Sequence, residues 1–188
     1  MATSFKCDEL ELQGAFLITP FSASDSRGLF IKDYSEDYLK SCGIFHPLKE
    51  VFYTVSKKGV IRAIHFQVVK EQAKLVRCIS GKVFDVIVDL RPESPTFKKW
   101  IGIYLTGDNL KSILIPSGFG HGYLVMEDSI VSYKCAEKFY SEYDSGIIWN
   151  DKDLNISWPL DQITVPITIS DKDANLQSFS SYCKNKIS

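Results

Sequence analysis

The chain has 188 residues, 45% of them hydrophobic and 24% charged, the make-up of a folded globular domain and not of a disordered polymer. Lys and Arg number 22 against 23 Asp and Glu, a net charge of -1, so counterion release has no source and no nucleic acid is expected as partner. No run approaches the ~18 apolar residues of a membrane span, and Lys6, Asp8, Glu9 and Glu11 charge the stretch where a secretory leader would be apolar. A cytoplasmic protein with no membrane partner is expected.

At about 150 residues per domain, the length predicts one domain over 1–188. The first clear element is a short helix, Ser35 to Cys42, acidic in its first turn and closed by Gly43. In the strand pattern from Gly59 to Gln67, alternation puts Ile61, Ala63, His65 and Gln67 on one face and Arg62, Ile64 and Phe66 on the other. Lys74–Ile79 and Val83–Leu90 flank Ser80-Gly81 and read as a hairpin. Trp100–Leu105, the turn Thr106–Asn109, Ser112–Ile115, Gly122–Val125 and Ile130–Cys135 follow. Strands every 8–12 residues or so indicate an antiparallel sandwich or barrel. Trp149–Leu154 and Trp158–Leu160 mix aromatics with turn formers and predict an ordered loop on the β core, and the polar residues after Phe179 are expected to fray.

Cys7, Cys42, Cys78, Cys135 and Cys183 are odd in number and lack a C-x-x-C pair, which predicts reduced thiols, with Cys78 and Cys135 as small buried hydrophobes. His46, before Pro47, reads as a solvated loop residue. The other two histidines, His65 and His121, lie in strand and glycine-rich settings, while Lys74 opens an apolar strand and Tyr133 sits inside another. Alone, Lys74 reads as a snorkelling edge residue and Tyr133 as a core aromatic. Together, an imidazole, an ammonium and a phenol suit proton transfer: one removes a proton near neutrality, one stabilises an oxyanion, one returns a proton.

Pro116-Ser117-Gly118-Phe119-Gly120-His121 has the P-x-G-x-x-H spacing of the second histidine motif of cupin barrels. Their first motif supplies an H-x-H pair and a Glu to a metal, but here reads His65-Phe66-Gln67, with Glu71 a poor acidic match. A neutral amide oxygen is a weak zinc or iron ligand, so no metal is expected. The runs Ser26–Phe30, Gly59–Gln67, Ala73–Arg77, Gly81–Arg91 and Ser94–Phe97 resemble the dTDP-4-dehydrorhamnose 3,5-epimerase family. The likeness continues through Ile115–Tyr123, Tyr133–Cys135, Trp149–Asp151, Trp158–Leu160 and Ser170–Ala174 in family order, which implies a domain core over about 25–179.

That resemblance implies an all-β, cupin-type double-stranded β-helix (jelly-roll) barrel with short peripheral helices. It further implies no metal and no redox cofactor, and a homodimer in which an amino-terminal segment helps complete the partner's site. The implied ligand is a nucleotide-diphosphate sugar, and the implied reaction inverts C3 and/or C5 of a 4-keto-6-deoxyhexose, dTDP-4-keto-6-deoxyglucose in the first instance. His65 resembles the base, oriented by Asp173, Tyr133 the acid, and Lys74 the group near the C4 oxygen. Arg62 and His121 resemble diphosphate ligands, Arg27 and Phe30 contributors to the nucleotide end, and Phe139 an aromatic against the base, with Gln67, Glu50 and Lys172 completing the substrate set. Both C3 and C5 are α to the ketone. A carbon acid lies about a dozen pKa units above imidazole, or ~16 kcal/mol, so the enolate must be stabilised.

Three departures bear on substrate choice: Lys32 where the family has Glu, Glu50-Val51-Phe52 for Gln-x-Asn, and Ala63 for Gly in the Arg-Gly-x-His run. Inversion at C3 or C5 alone, and a CDP or GDP carrier, stay open on these grounds. So do a metal-dependent cupin enzyme and a non-catalytic binding module on the same barrel.

Overall fold

The computed structural model describes residues 2–187. In chain order its elements are β1 (Ala2–Thr3), β2 (Lys6–Glu9), β3 (Phe16–Thr19), β4 (Phe21–Asp25), β5 (Gly28–Lys32), α1 (Glu36–Ser41), β6 (Glu50–Ser56) and β7 (Ile61–Gln67). There follow β8 (Lys74–Asp89), β9 (Trp100–Thr106), β10 (Ser112–Ile115), β11 (Phe119–Cys135), β12 (Asp144–Gly146), α2 (Asp171–Ala174) and α3 (Phe179–Ile187).

The expected hairpin around Ser80-Gly81 does not form. Lys74 to Asp89 is one strand of 16 residues, and the two strands expected over 122–125 and 130–135 are parts of another, of 17. These long strands pair antiparallel throughout, slipping register between Val125 and Val131 of β11. At the slip Gly81 takes φ +81°, and a Cβ there would stand 2.1 Å from the Asp128 carbonyl oxygen. Ser-Gly can close a hairpin, but a positive-φ glycine can equally bend a strand at a bulge. Here it carries β8 and β11 from one layer into a second.

Each half of the long pair therefore nucleates its own sheet. The first runs β6, the end of β11, the start of β8, β10, β3 and β2; the second runs β12, β7, the start of β11, the end of β8 and β9. Val76, Val83, Ile87, Ile113, Val125 and Val131 fill the space between them. The strand spacing anticipates an antiparallel sandwich or barrel, and the architecture is the jelly roll that the family resemblance implies. A small sheet of β1, β4 and β5 stands beside it.

The outer faces are covered as well. Leu39 of α1 and Ile44 pack with Leu75 and Leu114 on the first sheet, and Leu154, Trp158, Phe179 and Tyr182 pack with Ile64 and Val86 on the second. The helix starts after Ser35 and ends before Gly43, at φ +76°, as read. The loop after Trp149 is ordered: Trp158 Nε1 donates to Trp149 O at 2.8 Å. All five cysteines are free, with Cys78 and Cys135 buried.

Two local readings are corrected. The segment after Phe179 is helix α3, because Phe179 and Tyr182, three apart, bury one face while the Phe179 N–H donates to Asp151 Oδ2 at 2.9 Å. His46 is 2% exposed instead of solvated, since its Nε2–H donates to the Lys134 carbonyl at 2.9 Å. Burial lowers its pKa.

Candidate active site

Between the sheets, where β6 and β7 leave opposite ends of β11, lies a cavity of about 590 Å³. His65, Tyr133, Asp173, Lys74, Arg62, Gln67, His121, Phe139 and Lys172 all line it. His65 comes from the second sheet and Tyr133 from the first, so they face one space from different layers.

Strict alternation puts Arg62 and His65 on opposite faces of β7, and the structure corrects this. His121 pairs with His65 but Tyr123 with Arg62, so two steps along β11 span three along β7: a bulge. Its extra residue turns both side chains into the cavity. The bulge also frees the Ala63 N–H, which donates to Asp173 Oδ2 at 3.4 Å. Gly122 sits opposite, where a Cβ would lie 2.7 Å from the Arg62 carbonyl oxygen, so only glycine lets the strands approach.

Asp173 is held by the short helix α2, where Ser170 Oγ accepts from its backbone N–H at 3.1 Å. Its Oδ1 lies 3.1 Å from His65 Nε2. Burial opposes ionisation of this carboxyl, but the bond and charge of His65 and the bonds from Ser170 and Ala63 hold it below the usual carboxylate range. An Nε2–H committed to Asp173 leaves Nδ1 as the basic nitrogen. Asp144 Oδ1 is 3.9 Å from Nδ1, close enough to favour imidazolium once it forms, and Lys172 Nζ bonds the other Asp144 oxygen.

The other wall is aromatic. Tyr133 is 6% exposed, and Phe52 lies flat on its ring, centroids 4.6 Å apart and planes 13° from parallel. His121 meets the same ring edge-on at 5.9 Å, its Nε2–H donating to Asp85 Oδ2 at 2.9 Å. Burial, then the neighbouring Tyr123 hydroxyl and Asp85, push the Tyr133 phenol well above its ordinary pKa, against the pull of Arg62. Burial lowers the Lys74 ammonium, with Cys135, Asp144 and Asp85 opposing. A cation so placed gains most when a negative oxygen appears beside it.

Three substrate candidates stand elsewhere. Arg27 and Phe30 lie on the β4–β5 hairpin, Arg27 paired with Asp25 at 2.7 Å and Phe30 59% exposed. Glu50 Oε2 instead accepts from the Phe139 N–H at 2.9 Å and so positions that aromatic. Gln67 lines the cavity but commits its amide to structure, donating to the Lys70 and Lys138 carbonyls and accepting from the Tyr140 N–H. Among the described residues no group of three or more His, Cys, Asp or Glu is arranged to hold a metal.

Sequence reading missed Asp85, Asp144, Tyr123 and Thr54. Asp85 offered a signal, a lone carboxylate in the apolar run Val83–Leu90, whereas Asp144 in a short loop strand offered none.

A profile of the dTDP-4-dehydrorhamnose 3,5-epimerase family matches residues 9–181. The epimerase of that name from Methanothermobacter thermautotrophicus is 42% identical over 172 residues, 91% of this chain and 92% of its own length. The crystal structure of the Bacillus anthracis epimerase, with TDP and PPi bound, has a TM-score of 0.87 at 40% identity, covering 94% of this chain and 100% of its own. That from Legionella pneumophila, in complex with dTDP-4-keto-L-rhamnose, has a TM-score of 0.88 at 32% identity over 94% of each chain. With matches of this extent, the chain belongs to the dTDP-4-dehydrorhamnose 3,5-epimerase family and is an isomerase of the carbohydrate-epimerase class.

Proposed function

We propose that the protein inverts C3 and C5 of dTDP-4-keto-6-deoxyglucose by stepwise proton transfer through an enolate. The observation that carries this reading is that the His65–Asp173 pair and the Tyr133 phenol line one cavity from different sheets. His65 Nδ1 takes the proton α to the ketone and becomes imidazolium, stabilised by Asp173 and Asp144. The electron pair moves onto the C4 oxygen, beside the Lys74 ammonium. Tyr133 then delivers its proton to the opposite face of the carbon, which inverts it. The ketone re-forms, and the second α carbon goes through the same cycle.

Arg62 and His121 hold the diphosphate, and Phe139 stacks on the base. Binding these remote groups fixes the sugar between the walls. The TDP and dTDP-sugar in the solved relatives support the carrier. Arg27 and Phe30, exposed on their hairpin, fit the nucleotide end of a second copy's site, so the working unit is a homodimer. Sedimentation should give twice the monomer mass, and a monomeric active enzyme would remove that part of the reading.

The test is incubation with dTDP-4-keto-6-deoxyglucose in deuterated water. Deuterium should enter at both C3 and C5, read by NMR. Incorporation at one carbon would narrow the reaction to a single inversion, and none at either would overturn it. Running CDP- and GDP-4-keto sugars in parallel tests the carrier.

A further inference from the structure

Each inversion consumes the Tyr133 proton, and the phenolate left behind is buried under the Phe52 ring. His65, with a side chain 26% exposed, can trade its proton with water directly. Tyr133, 6% exposed, meets far less water, so the acid gains from a route of its own by which it is recharged.

Two more hydroxyls stand next to it. Tyr123, 1% exposed, packs in one core cluster with Tyr133 and lines the same cavity, and its Oη lies 2.8 Å from Thr54 Oγ1. The strand register explains the grouping. Tyr133 pairs with Phe52 and Val131 with Thr54 across β6 and β11, so Phe52 and Thr54, two apart, point to one side and both line the cavity. Tyr123 arrives from the other half of β11, on the second sheet. Thr54 lies on edge strand β6 and is only half-buried, so the series runs from the dry interior to the rim.

We infer that Tyr123 and Thr54 form a hydroxyl relay that carries a proton from water to Tyr133 after each inversion. The inference rests on Tyr133 being the acid of the proposed function. As the Tyr133 O–H bond breaks and a C–H bond forms, the phenolate oxygen takes the Tyr123 proton. Tyr123 takes the Thr54 proton, and Thr54 recovers one from water at the rim. One proton enters by this wall for each that leaves through His65, and no oxidation state changes. Burial makes the Tyr133 phenolate costly, so a proton held on an adjacent hydroxyl shortens its life. Two hydroxyls that served only packing would satisfy each other and do nothing more.

The decisive variants are Tyr123→Phe, Thr54→Val and Thr54→Ser, with Tyr133→Phe as reference. Inversion and exchange are followed on dTDP-4-keto-6-deoxyglucose in mixtures of light and heavy water. In the parent, the inversion rate should curve with deuterium fraction, because several protons move together. Tyr123→Phe should slow inversion about tenfold, straighten the curve and leave KM within twofold or so. Thr54→Val should do the same less strongly, and Thr54→Ser should restore the curve. Should Tyr123→Phe prove unfolded in thermal melts, the two Thr54 variants decide. Parent rates and curvature in Tyr123→Phe, or equal behaviour of Thr54→Val and Thr54→Ser, overturn the relay. If Tyr133→Phe loses inversion in that same series, the proposed function stands without the relay; if it inverts normally, the proposed function itself fails.

Discussion

The two walls of the cavity handle protons by opposite means. Around His65 stand the nearly buried carboxyl groups of Asp173 and Asp144 and the exposed side chain of Lys172. Around Tyr133 stand the part-exposed Phe52 ring and, both buried, the edge of His121 and the side chain of Tyr123. A base that must end its step charged is helped by adjacent carboxylates, whereas an acid that must start neutral is helped by burial, to which the Asp85 charge adds. One barrel thus sets an imidazole among carboxylates and keeps a phenol protonated a few side chains apart, by placing them in different layers.

The sharpest way to break this contrast is His65→Asn. Exchange at C3 and C5 should both fall by about a thousandfold or more, measured by NMR in deuterated water. Exchange surviving at one carbon would mean that the Tyr133 wall also removes protons. Tyr133→Phe comes next: inversion should fall about a hundredfold while solvent exchange persists, leaving the substrate configuration labelled but unchanged.

Asp173→Asn tests how far the charged wall depends on its carboxylate, and should reduce exchange about tenfold with little change in KM. It also has a pH signature. The folded pKa of Asp173 is lowered, so its contribution to stability is complete above the unfolded carboxylate value near 3.9 or so and is lost as pH falls through the folded value. Thermal melts from neutral pH into acid should therefore fall more steeply for the parent than for the Asn variant. Parallel curves would show that Asp173 gains nothing from His65 in the folded state.

Much of this contrast is legible in the sequence, and what escaped it is physical. His65, Tyr133, Lys74 and His121 stand in recognisable runs, and strand spacing alone gives an antiparallel two-layer fold. The bulge at Ala63 and the bend at Gly81 are not legible, because each is a register slip between strands some tens of residues apart. Alternation assigns Arg62 the wrong face for that reason, and Ser80-Gly81 mimics a hairpin turn. Nor does the sequence announce that Glu50 bonds the Phe139 backbone, or that Asp144 pairs with Lys172 beneath His65. Long-range partners of charged residues on short loop elements carry no local signature.

The Phe52 stack refines the aromatic wall. A stacked aromatic pair contributes roughly 0.5–1.5 kcal/mol beyond buried area, so Phe52→Asn should slow inversion about threefold to tenfold by loosening the Tyr133 ring. Exchange through His65 should stay within about twofold, since that step belongs to the other wall. A larger fall in exchange than in inversion would assign Phe52 to sugar binding instead.

The smallest expected effect on turnover comes from a carboxylate buried outside the cavity. Asp89, fully buried at the end of β8, accepts from Arg91, Ser94 and Thr96. Burial opposes its ionisation, yet those bonds hold its pKa at about 2. Lowered in the folded state, it stabilises the protein by about 2 kcal/mol above the unfolded carboxylate range, and that stability fades as pH drops toward 2. Asp89→Asn should accordingly lower stability at neutral pH by about that amount in urea titration, with exchange and inversion at parent rates. Asp173→Asn and Asp89→Asn each replace one hydrogen-bonded carboxylate by an amide, so a difference in exchange between them isolates the part that Asp173 plays through His65.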